Sequence, residues 1–230
     1  MMTHELTASK PLLCADRRIA TASSQKEFSF FKAPIRNIRP YKSITLLGAY
    51  RYIIGRYALE RTQRLRSLDN PKAARIFKAA QFDYCTFSGT FDARSDKRLI
   101  QHSGLLCIDF DNVDDIQGLS QGLLNDDFFE TELLFRSPSG NGLKWVIAVE
   151  LAGAAVVGNA ADGLRQCPTE EALNALKTAH VKCFTAVANY VSKTYGTEAD
   201  QSGKDISRAC FLPHDPQAFV NPKILNGYGN

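Results

Sequence analysis

Two aspartates close the segment Leu105-Leu106-Cys107-Ile108-Asp109-Phe110-Asp111. The apolar run reads as a buried strand, and because strand side chains alternate, both carboxylates project from one face while Ile108 and Phe110 turn to the core. Like charges spaced about 7 Å along a strand repel each other and lose solvation unless a cation lies between them. Oxygen-only ligands favour Mg2+ or Mn2+, and a carboxylate pair with open coordination positions is what phosphoryl-transfer chemistry uses. On that reading, Asn at either position relieves a repulsion and stabilises the cation-free protein. The plain alternative is a strand end, a turn at Asn112 and a helix cap at Asp114 or Asp115, so the pair needs company.

Two further segments supply it. Ser137-Pro138-Ser139-Gly140-Asn141-Gly142-Leu143-Lys144 reads as a hairpin turn. Gly140 and Gly142 let backbone approach a ligand, Ser137 and Ser139 offer hydroxyls to phosphate oxygens, and Lys144 adds a cation. It is not a Walker loop, because the Gly-Lys-Ser/Thr ending is missing. Further on, Asp200-Gln201-Ser202-Gly203-Lys204-Asp205 is followed by Arg208 and the strand end Leu212-Pro213, again an acid at an element boundary with an arginine beyond it.

In this order the three segments resemble the archaeo-eukaryotic primase superfamily. More narrowly, Thr86-Phe87-Ser88-Gly89-Thr90-Phe91, Ser103-Gly104-Leu105, the Asp-x-Asp strand and the Ser137–Lys144 hairpin resemble the primase-like domain found ahead of virulence-protein-E-type ATPases in mobile-element proteins. The resemblance covers roughly residues 75–220. It implies a primase–polymerase-like core, with an RRM-like antiparallel sheet beside a smaller N-terminal αβ unit. It also implies a primase or primase–polymerase activity that adds nucleotides to a nucleic-acid 3′ end with two divalent metals. Asp109 and Asp111 would hold both metals and Asp200 would give the third carboxylate. Ser137, Ser139 and Lys144 would contact the triphosphate, with Arg208 helping. The implied partners are single-stranded or primed DNA, nucleotide triphosphates and a downstream or separate helicase or ATPase. One position departs: superfamily members usually carry His where Lys144 stands, and lysine offers phosphate a point charge without imidazole's directional bonds. An inactive primase-like binding module is the alternative that this departure favours.

The elements that must position these residues read as α+β. Residues 1–42 form an N-terminal arm docked by Phe28, Phe30 and Phe31, and residues 43–230 form the catalytic domain. Within that domain, residues 43–100 are a basic subregion and residues 101–220 carry the metal and nucleotide groups. A basic amphipathic helix or helix pair runs from Ser43 to about Leu68, and a second starts at Asn70-Pro71, a cap followed by proline in the first turn. Strands are expected at Phe82–Phe87, Leu105–Phe110, Leu133–Arg136, Leu143–Val149 and Ser207–Leu212, and Asp114 or Asp115 opens a short helix. A long helix from Thr169 to Tyr195 puts Leu173, Leu176, His180, Phe184, Val187 and Val191 on one stripe, with His180 a packed histidine, and Gly196 stops it.

The net charge of +4 conceals a split. Residues 1–100 hold 19 Lys/Arg against 8 Asp/Glu, whereas residues 101–230 hold 9 against 16. A polyanion suits the first part, with Arg56, Arg61, Arg64 and Arg66 as the candidate nucleic-acid contacts. No apolar run approaches a membrane span, and the N-terminus lacks a signal pattern, so the six scattered cysteines are expected reduced and the protein cytoplasmic. A third reading, a haloacid-dehalogenase-type phosphatase with Asp109 as nucleophile, requires the Asp-x-Asp strand to lie in a parallel sheet.

Overall fold

The computed structural model describes residues 26–151 and 168–226; residues 1–25 of the expected arm lie outside them. Among the described residues, ten strands and six α-helices form an α+β arrangement in which every strand pairing is antiparallel.

The first sheet has the order β2-β1-β3-β9, from β1 (Glu27–Phe31), β2 (Lys42–Thr45), β3 (Tyr84–Thr86) and β9 (Cys210–Phe211). The second has the order β10-β7-β8-β6, from β6 (Leu105–Phe110), β7 (Thr131–Arg136), β8 (Leu143–Ala148) and β10 (Phe219–Val220). A hairpin of β4 (Gly89–Phe91) and β5 (Leu99–His102) leads into β6. Phe28, Phe30 and Phe31 are buried as the arm reading expected, but they are buried inside a sheet: β1 is flanked on both edges by partners.

Alternation along β6 and β8 divides the core. Leu106, Ile108, Phe110, Trp145 and Ile147 face one way, toward Leu119 and Leu123 of α4 (Ile116–Leu124) and Phe184, Val187 and Val191 of α5 (Glu170–Tyr195). Leu105 and Val146 face the other way and share a core with Phe28 and Phe30 of β1 and Leu46, Leu47 and Ile53 of α1 (Leu46–Ile54). Each fully buried aliphatic or aromatic side chain here contributes roughly 1.5–3 kcal/mol. Asp109 and Lys144 belong to this second face, where the two sheets meet.

Helix boundaries follow their caps. Asn70 accepts from the amides of Lys72 and Ala73 at the start of α3 (Pro71–Gln81), and Asp115 caps α4 through Gly118 N. Thr169 opens α5 and Gly196, at φ 63°, closes it. The basic helix or helix pair expected from Ser43 to about Leu68 is a pair, α1 capped by Thr45 and α2 (Leu59–Arg66), joined through a 3-10 turn at Arg56–Ala58; only its start differs, because Lys42–Thr45 form the strand β2. The β-branched residues Ile44 and Thr45 suit the strand, and Gly55 ends α1 in an extended conformation. Among the described residues no helix is long and apolar enough to cross a membrane. The antiparallel pairing of β6 with β8 is not the parallel sheet that the phosphatase reading needs.

Candidate metal centre

Asp109 and Asp111 leave the end of β6, and Asp200 opens a short 3-10 turn, Gln201–Lys204. The backbone joins them: Asp200 N donates to Asp109 O at 2.8 Å. Each of the three offers a carboxylate oxygen within 4.8 Å of the others. Asp109 and Asp200 are half-buried and Asp111 is exposed, so the group lies at the mouth of a crevice lined by Phe87, Ser88, Cys107, Asp109, Gly203, Arg208, Ala209 and Cys210.

The oxygens of Asp109 and Asp200 are engaged unequally. Asp200 Oδ1 accepts from Ser202 N at 3.0 Å, while its Oδ2 accepts from Ser202 Oγ at 2.5 Å and from an Arg208 guanidinium nitrogen at 3.0 Å. Burial pushes the Asp200 carboxyl up, but the Ser202 bonds, Arg208 and Lys144 outweigh it and hold the group below the ordinary carboxylate range. Asp109 Oδ2 is ion-paired with the Lys144 ammonium. Asp109 Oδ1 is buried and has no hydrogen-bond partner, a costly state for a carboxylate oxygen unless a cation satisfies it.

Lys144 stands directly opposite Asp109 in the β6–β8 ladder, so cross-strand pairing sets the ion pair. Burial pulls its ammonium below the ordinary lysine range, opposed by Cys210 and Cys107. Those thiols lie 3.9 Å apart, with Cys107 donating to Cys210. That bond draws Cys210 below the ordinary thiol range, against its burial, and Lys144, Arg208 and Lys78 add to it. The described cysteines Cys85, Cys107, Cys183 and Cys210 form no disulfide.

The turn before β8 is tied to the same strand end. Ser137 Oγ and Ser139 Oγ are 3.1 Å apart, Ser139 Oγ donates to Asn141 Oδ1, and Asn141 Nδ2 donates to Asn112 Oδ1 at 2.8 Å. Val113 N donates to Asn141 O. Gly140 has φ +87°, and a Cβ on Gly142 would lie 2.2 Å from Phe110 O, so both glycines are needed for the turn to approach the Asp-x-Asp end.

Two histidines hold the Asp200 turn from behind. Gly104 N donates to His102 Nδ1 at 2.9 Å, which leaves the proton on His102 Nε2 to donate to His180 Nδ1 at 3.1 Å. His180 Nε2–H is then directed at Gly203 O, also 3.1 Å away. One helical turn along α5, Phe184 packs so closely on Gly203 that a Cβ there would lie 2.3 Å from its ring. Both imidazoles must be neutral for this order of bonds. Burial, then His180 and Lys26, pull His102 down to about 3, and burial also lowers His180.

The sequence-predicted residues are thus partly brought together. Asp109, Asp111, Asp200, Lys144 and Arg208 form one cluster, and Ser137, Ser139, Gly140 and Gly142 adjoin it through Asn112 and Asn141. The basic residues divide. Arg56 and Arg64 are exposed. Arg66 donates to Ser137 O at 3.3 Å and Pro138 O at 3.2 Å, stitching α2 to the turn. Arg61 is drawn into a polar network, donating to Tyr52 Oη, Gln81 O, Tyr57 O and, at 3.4 Å, Asp83 Oδ2. Sequence reasoning did not mark Ser202, Cys107, Cys210, His102 or Gly203 as parts of the site. Only their positions within three residues of Asp109 or Asp200 hint at three of them, Cys107, Ser202 and Gly203.

An antiparallel α+β protein with three convergent carboxylates at a strand end is the class that fold and site define. Residues 77–219 match the BT4734-like, N-terminal domain, and the chain belongs to that family. No curated protein and no solved structure matches it.

Proposed function

We propose that this chain is a primase-like nucleotidyltransferase that adds nucleotides to a nucleic-acid 3′ end with Mg2+ or Mn2+, in the replication of a mobile element. The observation that carries the reading is the approach of Asp109, Asp111 and Asp200 to within 4.8 Å of one another although 91 residues separate the first from the last. The donor set fits a hard cation: oxygen only, with Asp109 Oδ1 buried and without a partner. Asp109, Asp111 and Asp200 would hold the divalent cation, which would supply Lewis-acid activation of the 3′-hydroxyl and neutralise charge on the pyrophosphate leaving group.

The chain's own residues do the rest. Ser137, Ser139 and the backbone around Gly140 and Gly142 receive the triphosphate, and Arg208 places a guanidinium at the mouth of the crevice. Ser202 and the His102–His180 relay keep Asp200 turned toward Asp109. The basic helices α1 to α3 hold the template backbone by charge. Single-stranded or primed DNA, nucleotide triphosphates and a helicase or ATPase are the partners this reading implies.

A second reading, a primase-like module that binds without turnover, is favoured by Lys144, whose ammonium already engages Asp109. Labelled-nucleotide incorporation on a primed single-stranded template separates the two. Extension that needs Mg2+ or Mn2+ and disappears in Asp111→Asn supports the enzyme, and triphosphate binding without any extension supports the module.

A further inference from the structure

We propose that Lys144 fills one of the two cation positions of the acid cluster, so that the cluster takes a single divalent ion. This rests on the metal reading above and amends its count.

The two oxygens of Asp109 are already differentiated. Oδ2 carries the Lys144 ammonium, and Oδ1 is buried with no partner. Lys144 cannot easily withdraw. It sits on β8, between β7 and β6, in register with Asp109, and only 11% of its side chain is exposed. Stripping a buried ammonium of its carboxylate leaves an uncompensated charge, so an incoming cation is directed to Oδ1 and the ion pair is kept.

Charge balance gives the same answer. Asp109, Asp111 and Asp200 carry −3, and Lys144 and Arg208, paired to two of them, carry +2. One divalent ion changes the cluster from −1 to +1, whereas two would make it +3 around a buried ammonium. Lys144 is therefore a positioning residue. It supplies fixed positive charge on one oxygen and leaves the other, buried and without a hydrogen-bond partner, for the ion.

The test counts Mn2+ on the full chain from the electron paramagnetic resonance of the free ion. The Asp111→Asn chain serves as reference for ions bound elsewhere. The proposal predicts one ion above that reference on the unaltered chain. In Lys144→Met, which keeps the stem and removes the charge, it predicts a second ion or at least tenfold tighter binding of the first. Two ions on the unaltered chain would overturn the proposal while leaving the metal reading intact. So would a Lys144→Met chain of unchanged count and affinity. No Mn2+ on either chain would remove the metal reading and this inference with it. Should Lys144→Met fail to fold, the count on the unaltered chain still decides.

Discussion

Asp109 and Asp111 are indistinguishable in the motif, yet their surroundings assign them different energies. Asp111 is exposed, so Asp111→Asn should change unfolding free energy by less than about 0.5 kcal/mol while abolishing Mn2+ binding at the cluster. Asp109→Asn should also abolish binding, but it strands the Lys144 ammonium in the sheet interface and should destabilise the cation-free protein by about 3 kcal/mol. Urea denaturation of the two variants at neutral pH measures the difference, and equal stabilities would mean that the Lys144 pair contributes nothing. The sequence alone implied that either substitution would stabilise by relieving repulsion. At Asp109 the structure adds a term the motif does not show: Lys144, 35 positions away in the chain, becomes its cross-strand partner only through the β6–β8 register.

At the scale of elements, α5 does more than cover the second sheet, because His180 and Phe184 fix Gly203 and so the turn that carries Asp200. The relay makes this pH-sensitive. His102 is folded at about 3 against 6.5 when unfolded, so the unfolded chain binds the proton first. The stabilisation from the neutral ring is complete above pH 6.5 and is lost as pH falls from there toward 3. The loss is about 1.4 kcal/mol per pH unit, or about 2 kcal/mol by pH 5, with His180 adding in the same direction and Lys26 and Asp96 as the charged neighbours. Stability measured between pH 7 and pH 5 should fall accordingly, and His102→Gln should flatten the decline. A flat profile in the unaltered chain would mean the pair is not neutral and buried as described. Local signals made much of this framework legible: the Asn70-Pro71 start, the Thr169 and Gly196 ends of α5, the Asp-x-Asp strand, and the hairpin turn with its glycines. The His102–His180 contact was not legible, since 78 residues separate two solitary histidines and no spacing rule relates them. The strand role of Glu27–Phe31 was equally hidden. Five residues with three phenylalanines show that a segment docks, not that sheet partners flank it on both edges.

For the whole molecule, the charge split becomes spatial through α1 to α3, which present Arg56 and Arg64 to solvent while Arg61 is held by Tyr52 and Asp83 and Arg66 by the Ser137–Pro138 carbonyls. Reversing Arg56 and Arg64 to Glu should weaken binding to single-stranded DNA regardless of sequence. Their loss as phosphate contacts should reduce the slope of log K against log salt by about 1.4, with the fold retained. Reversing Arg61 should instead unfold the α1–α2 corner, because it leaves Asp83, 5% exposed, facing a second carboxylate. Fluorescence anisotropy across a salt series tests the first expectation, and binding that is insensitive to salt would assign the basic face to another role. The account depends most on the acid cluster as a seat for metal and triphosphate together. A crystal structure of the chain grown with Mn2+ and a non-hydrolysable deoxynucleoside triphosphate tests that directly. The account predicts an anomalous peak coordinated by Asp109 Oδ1 and Asp111, with the triphosphate against the Ser137–Gly142 turn; density for neither at these residues, or a triphosphate bound elsewhere, would contradict it.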